Sequence, residues 1–151
     1  MCNNDDKIRI TKEFHFEMSH CLNNYNGLCK NIHGHSYKLF VCVLGKICQN
    51  QNSEDYGMVM DFSKLKKIVQ NQILEDLDHA LMIEIHSPFY QYVKAMDLKK
   101  KVVDFQPTCE NLVLYIKNEI LKSLPQNLEL FSVTLYETAS SHATWCKIDN
   151  L

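Results

Sequence analysis

From Ile8 the apolar side chains fall on every second residue: Ile8, Ile10, Phe14, Phe16 and Met18. A period of two marks an extended strand with one buried face. The chain therefore opens on a long half-buried strand, with Lys12 reading as a break or bulge in it. A polar, turn-rich stretch follows, Asn23-Asn24-Tyr25-Asn26-Gly27. Ser36 to Ile47 is then β-branched and aromatic on both parities, as expected of a strand covered on both faces.

Beyond a polar loop at 49–55, Gly57-Met58-Val59-Met60-Asp61-Phe62 reads as a short third strand. Leu65, Ile68, Val69, Ile73 and Leu77 recur at helical spacing, with Asp61 or Ser63 as N-cap. Residues 80–100 carry no clear period, and Lys101 to Phe105 reads as a short strand. Pro107-Thr108 opens a second helix carrying Leu112, Val113, Ile116, Ile120 and Leu121, Pro125 to Asn127 ends it, and Leu128 to Thr138 is the last strand. The order β-β-β-α-α-β predicts an α+β fold, an antiparallel sheet with helices on one face. With no repeat and no linker, residues 1–151 read as one domain.

The chain carries 16 Lys and Arg against 18 Asp and Glu, a net charge of −2, which argues against a protein that coats nucleic acid. The N-terminal stretch has no apolar core of a secretory signal, and the longest apolar run, Leu39 to Leu44, is far too short to span a membrane. Seven cysteines, an odd number with no C-x-x-C pair, fit a reduced, cytoplasmic protein better than a disulfide scaffold.

Seven histidines are more informative. His20 ends the first strand on the parity of Phe14, Phe16 and Met18. His33 and His35 open the second strand at i, i+2, which sends both to one face, and Gly34 between them permits a close backbone approach or a bulge. Three imidazoles converging from adjacent strand ends are good Zn²⁺ ligands, and a three-His site leaves a position open for substrate. Cys29 lies in a polar loop four residues before His33, where a nearby dication would favour the thiolate as base or nucleophile. On spacing alone, Cys29 or Cys21 could equally be a fourth ligand, or Cys29 could be inert.

Asp78-His79, after the first helix, is a candidate relay in which the carboxylate fixes the imidazole tautomer. Glu137 shares the odd parity of Phe131, Val133 and Leu135, so it places a carboxylate on an apolar face unless the strand has already ended. Buried, it needs two good donors, and a ligand edge with adjacent N–H and NH₂ groups would supply them.

These residues, taken in order, resemble a known family. Phe14-His15-Phe16-Glu17-Met18-Ser19-His20, Cys29-x₃-His33-Gly34-His35, Val59-Met60-Asp61-Phe62, Leu77-Asp78-His79, Pro107-Thr108-Cys109-Glu110-Asn111 and Tyr136-Glu137-Thr138 are similar to the motifs of the 6-pyruvoyl-tetrahydropterin synthase and 6-carboxy-tetrahydropterin synthase family, over residues 7–146. The resemblance implies a tunnelling fold: a four-stranded antiparallel sheet with two helices on one face. It also implies a homo-hexamer of two trimers with active sites between subunits. The implied substrate is 7,8-dihydroneopterin triphosphate. His20, His33 and His35 would hold Zn²⁺, Cys29 would abstract a proton, and Asp78 and His79 would complete the relay. Glu137 would anchor the pterin ring, with Thr108 and Glu110 near it; Thr108 is equally a candidate N-cap.

Within the family, Cys-x₃-His-Gly-His and the long 83–105 segment resemble the bacterial queuosine-pathway branch. That branch releases acetaldehyde and triphosphate and leaves 6-carboxy-5,6,7,8-tetrahydropterin. The alternatives are the pyruvoyl branch, which keeps the side chain, and a non-catalytic zinc- or pterin-binding module of the same fold. No Glu occurs between Glu17 and Glu54, which disfavours a third branch that carries a Glu near the Cys position. Cys21 stands where many relatives carry a basic residue, so the triphosphate would need other cations, with Lys12, Lys30 and Lys38 as candidates.

Overall fold

The computed structural model describes residues 5–151. Strand β1 (Lys7–His20) and strand β2 (His33–Lys46) form one long antiparallel pair in unbroken register from Lys7↔Lys46 to His20↔His33. Period-two burial holds along β1, with Phe14, Phe16, Met18 and His20 all inside. Lys12 does not break the strand. It pairs with Val41 and lays its stem along the apolar face, its Nζ 5.9 Å from the rings of both Phe14 and Phe62. Gly34 pairs with Ser19 without a bulge, and a Cβ there would meet the Met18 carbonyl oxygen at 3.3 Å.

The expected third strand does not form. Residues 57–60 fold back on the preceding loop, where Cys48 donates to the Met58 carbonyl and Gly57 to that of Cys48. Gly57 takes a positive φ of 80°, a turn conformation that favours glycine. Asp61 then caps helix α1, accepting from the Ser63 N–H at 2.6 Å. Helix α1 (Phe62–Val69) continues through a π-helical stretch, Gln70–Leu74, into a last turn at Glu75–Leu77. Leu65, Val69, Ile73 and Leu77 form its fully buried stripe.

The ambiguous 80–100 segment holds strand β3 (Ala80–Glu84) and the short helix α2 (Tyr90–Val93), and strand β4 (Lys100–Val103) follows. Helix α3 (Cys109–Leu121) starts at Thr108, whose side chain accepts from the Asn111 N–H. Strand β5 (Glu129–Tyr136) follows, then strand β6 (His142–Cys146).

The sheet is therefore six-stranded and mixed, in the order β4-β3-β1-β2-β5-β6, not four-stranded and antiparallel. β1, β2, β5 and β6 are the antiparallel four, while β3 and β4 add to the β1 edge in parallel. Parallel addition needs a crossover, and α1 and the 85–99 segment supply the two. One core joins α1 and α3 to the even side chains of β1, the odd ones of β2, and β5. Both main helices thus cover one face, as expected for an α+β fold. The other face of β2 is only partly covered, and there the Arg9 guanidinium lies 3.6 Å from the Phe131 ring centre.

Candidate active site

The last pair of the β1–β2 ladder is His20↔His33, and His35 lies one pleat further on the same face. Their ring centres are 4.6, 4.9 and 5.2 Å apart. His20 Nδ1 lies 2.7 Å from the Pro107 carbonyl and His33 Nδ1 2.8 Å from that of Asn31. A carbonyl only accepts, so in both rings the proton sits on Nδ1 and Nε2 carries the lone pair. All three Nε2 atoms are buried and without a hydrogen-bond partner. Burial holds the His20 ring below its ordinary pKa, against the pull of the Pro107 carbonyl and the Glu137 charge, which favours the neutral, ligating form.

Three inward, unpartnered Nε2 atoms, with the His20 and His33 rings oriented from behind and His35 by its strand, are the donor set of a transition-metal site. The candidate ligand atoms lie within 4.8 Å of one another. Neither cysteine weighed as a fourth ligand joins this group. Cys21 alternates to the other side of the strand end and packs with Leu81, Ile83 and Val93, its Sγ 3.9 Å from Ser87 Oγ. Burial pushes that thiol's pKa up.

A cavity of about 270 Å³ opens beside the histidines. His20, Cys29, Thr108, Glu110, Glu137 and His142 are among its lining residues. Cys29 arrives half-buried on a short 3-10 turn, Leu28–Lys30. Glu137 lies just past the end of β5, so the strand has ended, yet its carboxylate does not turn to water. Its Oε1 lies 3.5 Å from His20 Nε2 and 3.9 Å from His35 Nε2, with the side chain 25% exposed. The cavity thus brings together two thiols (Cys29 and Cys109), two carboxylates and one wall of the histidine cluster.

Asp78 and His79 form the expected pair, with His79 Nδ1 3.0 Å from Asp78 Oδ1. The same carboxylate oxygen accepts from the Glu17 N–H at 2.9 Å, and that bond, with His79, holds the Asp78 pKa below its usual range. His79 has a positive φ of 61°. Its N–H donates to the Glu17 carbonyl, which pins the left-handed turn. The pair lies elsewhere, however. His79 is among the residues around a second concavity of about 320 Å³, lined also by Glu17, Ser36 and His35, which shares no lining residue with the Cys29 cavity.

A sequence model described as 6-pyruvoyl tetrahydropterin synthase matches residues 9–147. The chain belongs to this family. The chain is 35% identical over 138 residues to the 6-carboxy-5,6,7,8-tetrahydropterin synthase of Haemophilus influenzae, covering 89% of this chain and 95% of the relative. It is 31% identical over 131 residues to the dihydroneopterin monophosphate aldolase of Pyrococcus furiosus, covering 87% of this chain and 90% of that one. The structure of Caenorhabditis elegans 6-pyruvoyl tetrahydropterin synthase shares the fold with a TM-score of 0.67 at 23% identity, covering 93% of this chain and 96% of that chain.

Of the residues expected of a family member, the fold brings together His20, His33 and His35, and sets Cys29, Thr108, Glu110 and Glu137 beside them. It does not bring Asp78 and His79 to Cys29 within one chain. The proposed phosphate cations are also absent from the Cys29 cavity, whose lining holds no Lys or Arg. Lys38 Nζ lies 3.9 Å from Glu13, Lys12 covers Phe14, and Lys30 is exposed beside Cys29 in the loop.

Two residues at the site went unread in the sequence. His142 lines the cavity, stacked on Tyr136 with ring centres 4.4 Å apart. Tyr37 lies fully buried between His20, His35 and Phe16. Its parity with His33 and His35 was the available signal.

Proposed function

We propose that the chain is a zinc-dependent carbon–carbon lyase. It would convert 7,8-dihydroneopterin triphosphate to 6-carboxy-5,6,7,8-tetrahydropterin, with release of acetaldehyde and triphosphate, in the queuosine pathway. The observation that carries this reading is the trio of inward-facing, unpartnered Nε2 atoms beside a cavity that holds both a thiol and a carboxylate. The named H. influenzae relative supports the carboxy branch. Three imidazoles with unpartnered Nε2 atoms suit Zn²⁺, which when bound acts as a Lewis acid toward substrate oxygen.

The chain's own residues supply the rest. Cys29 takes a proton from the substrate side chain at the cavity wall beside His20. Glu137 accepts from the ring N–H and amino group of the pterin, a two-pronged contact that satisfies both carboxylate oxygens. Thr108 caps α3 with its side chain, and the Glu110 carboxylate lies in the same wall. Asp78 holds the proton of His79 on Nδ1 and leaves Nε2 as the working atom of a proton relay. Because that relay faces a different concavity, the complete site lies between copies of the chain, in a homo-oligomer such as a hexamer of two trimers. Phosphate-binding cations then come from Lys30 at the cavity mouth and from a neighbouring copy.

The test is a product assay. Zinc-loaded protein given 7,8-dihydroneopterin triphosphate should release triphosphate and acetaldehyde in equal amounts. Triphosphate without acetaldehyde would select the pyruvoyl reaction. If neither forms, the chain is a zinc- or pterin-binding module without catalysis.

A further inference from the structure

Tyr37 is the one other side chain whose buried polar atom, like the three histidine Nε2 atoms, has no partner among the described residues. It is 0% exposed. Its ring stacks nearly parallel on Phe16, centres 5.0 Å apart, and meets His35 and His20 edge-on at 5.7 and 6.3 Å. A phenylalanine would make every one of these contacts. The hydroxyl alone distinguishes tyrosine here, and burying it unpaired is costly. Such a group calls for a partner in the working site.

The register names the partner. Lys38↔Tyr136 is the last pair of β2 and β5, so Tyr37 and Glu137 are the next residues along from it, and the Glu137 carboxylate reaches the same His20 and His35 rings that Tyr37 touches. Residues that follow a ladder's last pair on its two strands lie within reach of long side chains. The other polar groups nearby are committed. Cys109 donates its thiol proton to the Leu135 carbonyl, and the His20 and His35 lone pairs turn to the metal position.

We propose that Tyr37 is a positioning residue. Its hydroxyl donates to one oxygen of Glu137 in the ligand-bound site and sets the direction in which that carboxylate meets the aminopyrimidine edge of a pterin. The inference rests on the pterin-anchoring role of Glu137. One cavity wall thereby gains a fixed acceptor: β2 contributes the donor and β5 the carboxylate. Without the hydroxyl, Glu137 is left to swing toward the His20 and His35 nitrogens, where its Oε1 already lies.

The probe is 7,8-dihydroneopterin, which lacks the triphosphate leaving group, titrated by fluorescence into zinc-loaded protein. Tyr37→Phe should weaken binding about tenfold, the loss expected of one hydrogen bond to a charged group. Zinc content and melting temperature should stay at wild-type values. In a Glu137→Ala background the same substitution should cost nothing further. Equal binding by wild type and Tyr37→Phe overturns the inference, as does an undiminished effect of Tyr37→Phe in the Glu137→Ala protein. A packing defect would persist in both backgrounds, so the cycle separates the two even if the melting temperature falls. No binding by the wild type, or unchanged binding by Glu137→Ala, would sink the role of Glu137 and this inference with it.

Discussion

His20 and Cys21 are chain neighbours with opposite fates, and the pleat is the reason. One turns inward to the histidine cluster, the other into a separate apolar pocket with Leu81, Ile83 and Val93. The same alternation made His33, His35 and Glu137 readable as a set, because parity along a strand fixes which face a side chain shares. It did not reveal Tyr37, which passes as one more aromatic in an apolar run. Nor could it separate a base from a ligand for Cys29, since loop residues have no parity to read. The geometry sharpens that choice, because the metal-ligand group holds the three histidines and no cysteine. Cys29→Ala is accordingly expected to keep its zinc and its fold while losing turnover by at least about a hundredfold, the scale of a lost general base. Metal analysis alongside the product assay checks this. Loss of zinc in the variant would instead make Cys29 a ligand.

The element that carries Cys29 is the loop 21–32, held at three points. Leu22 donates to the Cys29 carbonyl at 2.9 Å and closes its neck, Cys21 packs against β3, and the Asn23 side chain donates to Glu84 at the end of β3. The 80–98 segment, which had no periodic signature, thus buttresses the loop that presents the thiol. Glu84→Ala should loosen it by about 1.5–3 kcal/mol, the range for a hydrogen bond to a charged group. The expected readouts are a lower kcat at unchanged zinc content and faster alkylation of Cys29 by iodoacetamide. An unchanged alkylation rate would count against the buttress.

Among the short elements, β3, α2 and β6 carried no signature, whereas β4 matches the strand read at Lys101 to Phe105, though its parallel pairing was not legible. β3 and β4 are parallel strands of five and four residues joined by a crossover rather than a tight turn. β6 spans only five residues, follows a turn with neither Gly nor Asn, and is half-buried at best. The two long helices were legible, because Leu65, Val69, Ile73 and Leu77 and then Leu112, Val113, Ile116 and Ile120 are all buried at helical spacing. Leu121, read with the second set, is 47% exposed, one step off the stripe.

At the scale of the whole molecule, the histidine cluster stands between two concavities. His20 lines the one with Cys29 and Glu137, His35 the one with His79. Among the described residues, the cavity with Cys29 is lined by no Lys or Arg and by neither Asp78 nor His79. Motif order could supply every residue of the site but not this separation, because order along a chain says nothing about which copy of a symmetric assembly a residue serves. If Cys29 and the Asp78–His79 pair act together across two copies, as proposed, the isolated monomer is expected to be inactive. Co-expressing a Cys29→Ala chain with a His79→Ala chain tests that joint action most directly. Each variant alone should be inactive, while mixed assemblies should regain about a quarter of wild-type acetaldehyde release, the share of sites drawing both intact groups from different chains. A mixture as inactive as its two parents would contradict the account.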